Sequence, residues 1–234
     1  MANHTRRTAS RPAPRRRSPS PQQRHRRVLF FLVLLIIAIP VVALIVNRCA
    51  KQPALRQEGV SPALIFGLPV QTDYIPEGSP RRPGTKRTIK YIVIHETANT
   101  DAGADAQSHS HFLTSDTADT TSWHYTVDDH MVCHHLPDEE MAWHAGDRET
   151  PGGGNTCGIG VELCVNKDGN FEKTFKNGAK LTAYLLHAYD LTLNDVKQHH
   201  DFMDKNCPMQ IRNDGRWQEF LDLVAQYYKN GQDV

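Results

Sequence analysis

The sequence predicts a mixed α/β domain, a central sheet flanked by helices, preceded by one N-terminal transmembrane helix. Three observations carry this. Beyond Thr88, short β-branched runs alternate with longer stretches of 3.6-residue apolar period. The first 27 residues hold nine arginines and no acidic residue. Nineteen residues without a charge follow them, from Val28 to Val46.

The arginine-rich start, residues 1–27, is mixed with Ser, Pro and Gln and has too little apolar surface to offset chain entropy, so it reads as a disordered tail. Its arginines could suggest nucleic acid, but they stop at the edge of the apolar run, where a membrane gives the simpler account. We therefore expect no nucleic-acid partner.

The run VLFFLVLLIIAIPVVALIV is long enough to cross a bilayer as a helix. Pro40 is tolerated in such a helix. With the positive charge on its N-terminal side, residues 1–27 face the cytoplasm, residues 28–47 form a signal anchor, and the rest of the chain lies outside the cell. A cleaved signal peptide is the competing reading, but Leu44-Ile45-Val46-Asn47-Arg48 lacks the small residues of a cleavage site. The expected location is the cell membrane, single-pass, with the folded domain outside the cell.

Residues 48–87 are rich in Pro, Gly and charge, with one apolar patch at Leu64-Ile65-Phe66, and read as a tether. The folded domain is expected over 88–230. From residue 28 onward eighteen basic residues face twenty-six acidic ones, so this body is acidic and the basic tail should be considered apart from it.

Within the body, Ile89 to His95 is an apolar, β-branched run suited to a buried strand. Ala102 to Leu113 reads as a helix with Asp101 as its N-cap. Trp123 to Asp128, Met131 to Leu136 and Gly158 to Cys164 read as further strands. Two amphipathic helices follow, one carrying Leu181, Leu185 and Ala188, the other Trp217, Phe220, Leu221 and Val224.

Eleven of the thirteen histidines fall between residues 95 and 200, too many for packing alone. His95 ends the first strand, where a ring emerges at a sheet edge. The segment from His199 to Pro208 offers histidine and cysteine eight positions apart. Two imidazoles and a thiolate suit zinc, and three protein ligands leave a fourth position for water, the pattern of a catalytic rather than a structural site. Zinc lowers the pKa of water to about 7 and polarises carbonyl groups. The bland alternatives are a core histidine and a buried thiol.

Three segments, Val93-Ile94-His95-Glu96-Thr97-Ala98-Asn99, Ser122-Trp123-His124-Tyr125 and Ala142-Trp143-His144-Ala145-Gly146-Asp147, resemble the type 2 family of N-acetylmuramoyl-L-alanine amidases, relatives of peptidoglycan recognition proteins. The likeness continues through Gly158-Ile159-Gly160-Val161-Glu162-Leu163-Cys164, Val196-Lys197-Gln198-His199-His200 and Lys205-Asn206-Cys207-Pro208, in family order from about Tyr74 to Val224.

The resemblance implies zinc (Zn2+) held by His95, His199 and Cys207, with His199 preferred over His200 because its separation from the cysteine matches the family. It implies Glu162 as the catalytic acid/base and Lys205 as the oxyanion-stabilising cation. His124 and His144 are expected to line the cleft and bind substrate, or else to pack beside Trp123 and Trp143. Glu96 departs from the pattern, standing where Asn is common. The implied activity is hydrolysis of the amide between N-acetylmuramic acid and L-alanine, with peptidoglycan as partner. A binding module without catalysis is the rival, since non-catalytic relatives commonly lack the cysteine that is present here. Cys133, Cys157 and Cys164 could pair or stay reduced. Oligomeric state is left open.

Overall fold

The computed structural model describes residues 62–116 and 118–230. The arginine-rich tail and the apolar run Val28 to Val46 lie outside the described residues, and with them the expected anchor. Among the described residues no helix is long and apolar enough to cross a membrane.

The fold is mixed α/β. Strands β1 (Leu64–Ile65), β2 (Leu68–Thr72), β3 (Tyr91–Glu96), β4 (Tyr125–Val127), β5 (Val132–His134), β6 (Gly158–Leu163) and β7 (Val196–Gln198) form one sheet in the order β1-β2-β5-β4-β6-β3-β7. Its helices are α1 (Ala106–Thr114), α2 (Gly154–Cys157), α3 (Phe171–Ala188), α4 (Met209–Asn213) and α5 (Trp217–Lys229). The centre of the sheet, β4-β6-β3-β7, is parallel, while β1 and β4 run antiparallel to β2 and β5.

Central parallel strands are covered on both faces, so their residues are apolar almost without alternation. Ile92, Val93 and Ile94 in β3 and Ile159, Val161 and Leu163 in β6 are all fully buried. Helix α3 starts where the Asn170 side chain accepts a hydrogen bond from Lys173 N–H, and lays Phe175, Ala179, Leu181 and Leu185 into the main core. Helix α5 closes that core from outside, with the rings of Phe175 and Phe220 meeting edge to face at 5.3 Å.

Two expectations are corrected. Residues 62–87 are not all tether: β1 and β2 lie within them, and β2 pairs in parallel with β5 from Val70↔Val132 to Thr72↔His134. Arg82 further ties this stretch to the body through a two-pronged ion pair with Glu140 at 2.8 and 3.0 Å. Its Pro, Gly and charges obscured strands too short to show a period. Helix α1 is capped by Asp105, which accepts from Ser108 N–H at 2.8 Å, and not by Asp101. Gly103, at φ +78°, breaks the chain between the two aspartates.

Candidate metal centre

Register brings the chemistry together. Strands β3 and β6 pair so that His95 stands opposite Glu162, and paired residues in a ladder share a face. Strand β7 pairs with β3 up to Ile94↔Gln198, so the next residue of each chain, His95 and His199, meet at the strand ends. The loop after His199 then returns Cys207 beside them.

The Nδ1 atoms of His95 and His199 are 3.0 Å apart, and the Cys207 Sγ lies 3.9 Å from His95 Nδ1. Ligand atoms of all three residues lie within 4.8 Å of one another, and all three residues are buried. Glu162 Oε1 is 3.9 Å from the same His95 nitrogen, and this carboxylate keeps 13% of its side chain exposed. A tetrahedral zinc with bonds of about 2.0–2.3 Å needs ligand atoms roughly 3.3–3.6 Å apart, between the two observed separations. Two imidazole nitrogens and a sulfur converging from separate elements, with the Glu162 carboxylate beside them, form a donor set that fits such an ion.

The electrostatics suit the two imidazole ligands. Burial is the main cause that lowers His95 well below the usual imidazole range, with nearby His144, His199 and Lys205 adding to it. His199 falls to about 4, first by burial and then by the Lys205 charge. Both rings are therefore neutral and able to ligate at physiological pH. Burial pushes Glu162 up to about 8, against the opposing pull of Lys205. Burial also pushes the Cys207 thiol up to about 12, while the backbone N–H of Glu96 favours its thiolate. Lys205 itself is exposed at the rim.

Of the two readings of His124 and His144, lining a cleft or packing inside, the structure favours packing: they are 0% and 7% exposed, with their ring nitrogens engaged inside the protein. His144 Nδ1 meets His95 Nε2 at 3.0 Å, and its own Nε2 donates to the Gly158 carbonyl at 3.1 Å. His124 Nδ1 accepts from Gly160 N–H at 3.0 Å, and its Nε2 donates to the Glu140 carbonyl at 2.8 Å. Gly160 leaves room for this: a Cβ there would sit 2.8 Å from the His144 ring. Sequence placed both histidines next to tryptophans but gave no sign of which ring edge would be covered.

The Trp143–Asp147 segment is held in place by side chains from α2 and its approach. Asn155 Oδ1 accepts from both His144 and Ala145 N–H, at 2.8 and 2.6 Å. Asp147 accepts from Gly154 and Asn155 N–H at the start of α2. Gly146, at φ +71°, turns the chain beside the metal centre, where an added Cβ would lie 2.4 Å from Met203 Sδ and 3.7 Å from His199 Nε2. The same glycine also lines a cleft of about 480 Å³ with Thr121, Trp143 and Arg148, next to the metal centre but lined by none of its residues.

His200 is not part of the cluster; its ring Nδ1 faces the Lys205 carbonyl at 3.2 Å. Among the described cysteines, Cys133, Cys157 and Cys164 are free and buried, and none is paired. Sequence reasoning did not find the role of Glu96: its carboxylate accepts from Gln210 and Ile211 N–H at 2.7 and 3.0 Å, across the loop that carries Cys207.

Comparison with known proteins points to one family. A family described as N-acetylmuramoyl-L-alanine amidase matches residues 85–210. The amidase CwlH of Bacillus subtilis (strain 168) is 40% identical over 156 residues, 67% of this chain and 61% of the relative. XlyA of the same organism is 42% identical over 148 residues, 63% of this chain and 48% of the relative. The solved catalytic domain of XlyA superposes with a TM-score of 0.63 at 39% identity, over 67% of this chain and 99% of that domain. The match to the two full-length relatives thus spans roughly half to three fifths of their length.

Proposed function

The chain belongs to the N-acetylmuramoyl-L-alanine amidase family, and from that premise we propose that its folded domain hydrolyses the amide joining the lactyl group of N-acetylmuramic acid to L-alanine in peptidoglycan. The observation that carries the reading is the convergence of His95, His199 and Cys207 with the Glu162 carboxylate 3.9 Å from the shared nitrogen.

In this reading His95, His199 and Cys207 would together hold one zinc ion. Zinc bound there would supply a Lewis acid that acidifies water and polarises the scissile carbonyl. Glu162 takes the proton of the attacking water and delivers it to the leaving alanine nitrogen. Burial raises the Glu162 carboxyl to about 8, and a cation bound beside it would bring that value down toward neutrality, the range in which one group can both take and release a proton. Lys205, whose charge already acts on Glu162 and His199, stabilises the negative charge that develops on the carbonyl oxygen. The cleft beside Gly146 receives the substrate.

The localisation belongs to the same proposal: the arginines before residue 28 and the apolar run after them hold the enzyme at the cell membrane, with this domain on the wall side. Fractionation tests it, and a shortened soluble form lacking residues 1 to about 47 would contradict the anchor.

The deciding experiment for activity is mass spectrometry of purified muropeptides treated with the detergent-solubilised full chain, with and without chelator. A new free alanine amine and lactyl carboxylate, lost on chelation and restored by zinc, is the expected result. Cleavage within the glycan, or no cleavage beside tight binding, would overturn it; the latter would favour a recognition module.

A further inference from the structure

Successive residues of a strand point to opposite faces. At the end of β3, His95 turns to the metal centre and Glu96 to the other side. The chain from Cys207 to Ile211 passes over this strand end and touches both. The Cys207 sulfur approaches His95 on one face, and the backbone amides at the start of α4 meet the Glu96 carboxylate on the other.

Glu96 is 6% exposed, and its two carboxylate oxygens are divided between two partners: Oε2 to Gln210 N–H at 2.7 Å and Oε1 to Ile211 N–H at 3.0 Å. The first amides of a helix have no partner within it, so a buried carboxylate there is fully used by the loop and closed to solvent. Two such bonds fix both position and tilt of the segment, which one contact would not.

We propose that Glu96 is a positioning residue for the metal centre, clamping the start of α4 onto the end of β3 and so setting the distance between the Cys207 sulfur and His95. The inference rests on the metal reading above. It assigns Glu96 no contact with substrate. The partners of a metal ligand's support typically matter to metal affinity by 10–100-fold.

The test uses the full chain in detergent as wild type, Glu96→Ala and Glu96→Gln. Zinc affinity is read by competition with a chromophoric chelator, and the cysteine ligand by the sulfur-to-metal absorption of the cobalt-substituted protein. Glu96→Ala is expected to weaken zinc binding by roughly 10–100-fold and to shift or reduce the sulfur band. Glu96→Gln keeps one carbonyl acceptor and should recover part of both losses. The kcat should fall with KM unchanged, since the cleft is untouched.

Variants with wild-type zinc affinity and cobalt spectrum, even with a lowered Tm, would reduce Glu96 to an ordinary structural cap and overturn the proposal. If Glu96→Ala does not fold, Glu96→Gln decides: a measurable loss of affinity supports the clamp, and none overturns it. Wild-type protein that binds no zinc removes the metal reading itself, an outcome distinct from a wild type that binds and a variant that binds equally well.

Discussion

His144 Nδ1 stands 3.0 Å from His95 Nε2, and the far nitrogen of His144 is bonded to the Gly158 carbonyl. Because that carbonyl only accepts, His144 carries its proton on Nε2, leaving Nδ1 to accept from His95 Nε2–H. The chain of bonds thereby frees His95 Nδ1, the nitrogen that faces His199 and Cys207. One backbone oxygen sets the tautomer of a candidate ligand two rings away.

His144→Ala should therefore weaken zinc binding by roughly 10–100-fold, because His95 loses the partner that fixes its ring. His144→Asn, whose side-chain oxygen can accept, should recover part of the loss. Chelator competition measures both, and an alanine variant with undiminished affinity would show that His95 holds its orientation unaided.

Glu162 separates metal binding from turnover. Its carboxylate approaches His95 Nδ1 without belonging to the three-residue cluster, so Glu162→Gln should retain zinc while activity on muropeptides falls by roughly 10²–10⁴-fold. Zinc content by mass spectrometry and amine release by a colorimetric assay check the two halves. An active glutamine variant sinks the acid/base assignment.

Gly146→Ala tests the turn at the cleft. The residue sits at φ +71°, where a Cβ costs about 1–2 kcal/mol. The Met203 sulfur must also move away, which narrows the approach to His199. We expect a lower midpoint in urea and a raised KM; an unchanged midpoint would mean that the turn relaxes freely.

Much of this centre was legible in the sequence because chemistry-bearing residues end apolar runs. His95 closes a run whose burial follows from composition, and the spacing of His199 and Cys207 survives into space because one short loop joins them. What stayed hidden depends on register. Whether His144 faces a cleft or the back of His95 is set by the pairing of β3 with β6 and by Asn155 gripping two backbone amides, neither of which has a local signature. Strands β1 and β2 were lost for the same reason: in isolation Leu64–Ile65 is a patch of apolar residues among charges, and only the pairing of β2 with β5 makes a strand of its neighbourhood.

The pH dependence of stability should expose a second set of histidines. The Trp123 indole N–H donates to Thr126 Oγ1 at 2.7 Å, which leaves the Thr126 hydroxyl to donate to His135 Nε2 at 2.8 Å, so the pair is built for a neutral ring. Burial is the largest cause that lowers His135 to about 3, and the neighbouring His134 adds to it. With the folded value below the unfolded one, near 6.5, the unfolded chain binds the extra proton in between. The stability this residue contributes is thus fully present above about pH 6.5 and is lost as pH falls toward 3. Urea unfolding of the chelator-treated protein between pH 7 and pH 4 measures the slope. His135→Gln cannot take up that proton, and should unfold with a shallower dependence on pH than wild type even where it is less stable at pH 7. Equal slopes would place the acid sensitivity in other buried rings, His124 foremost, since it too is lowered chiefly by burial.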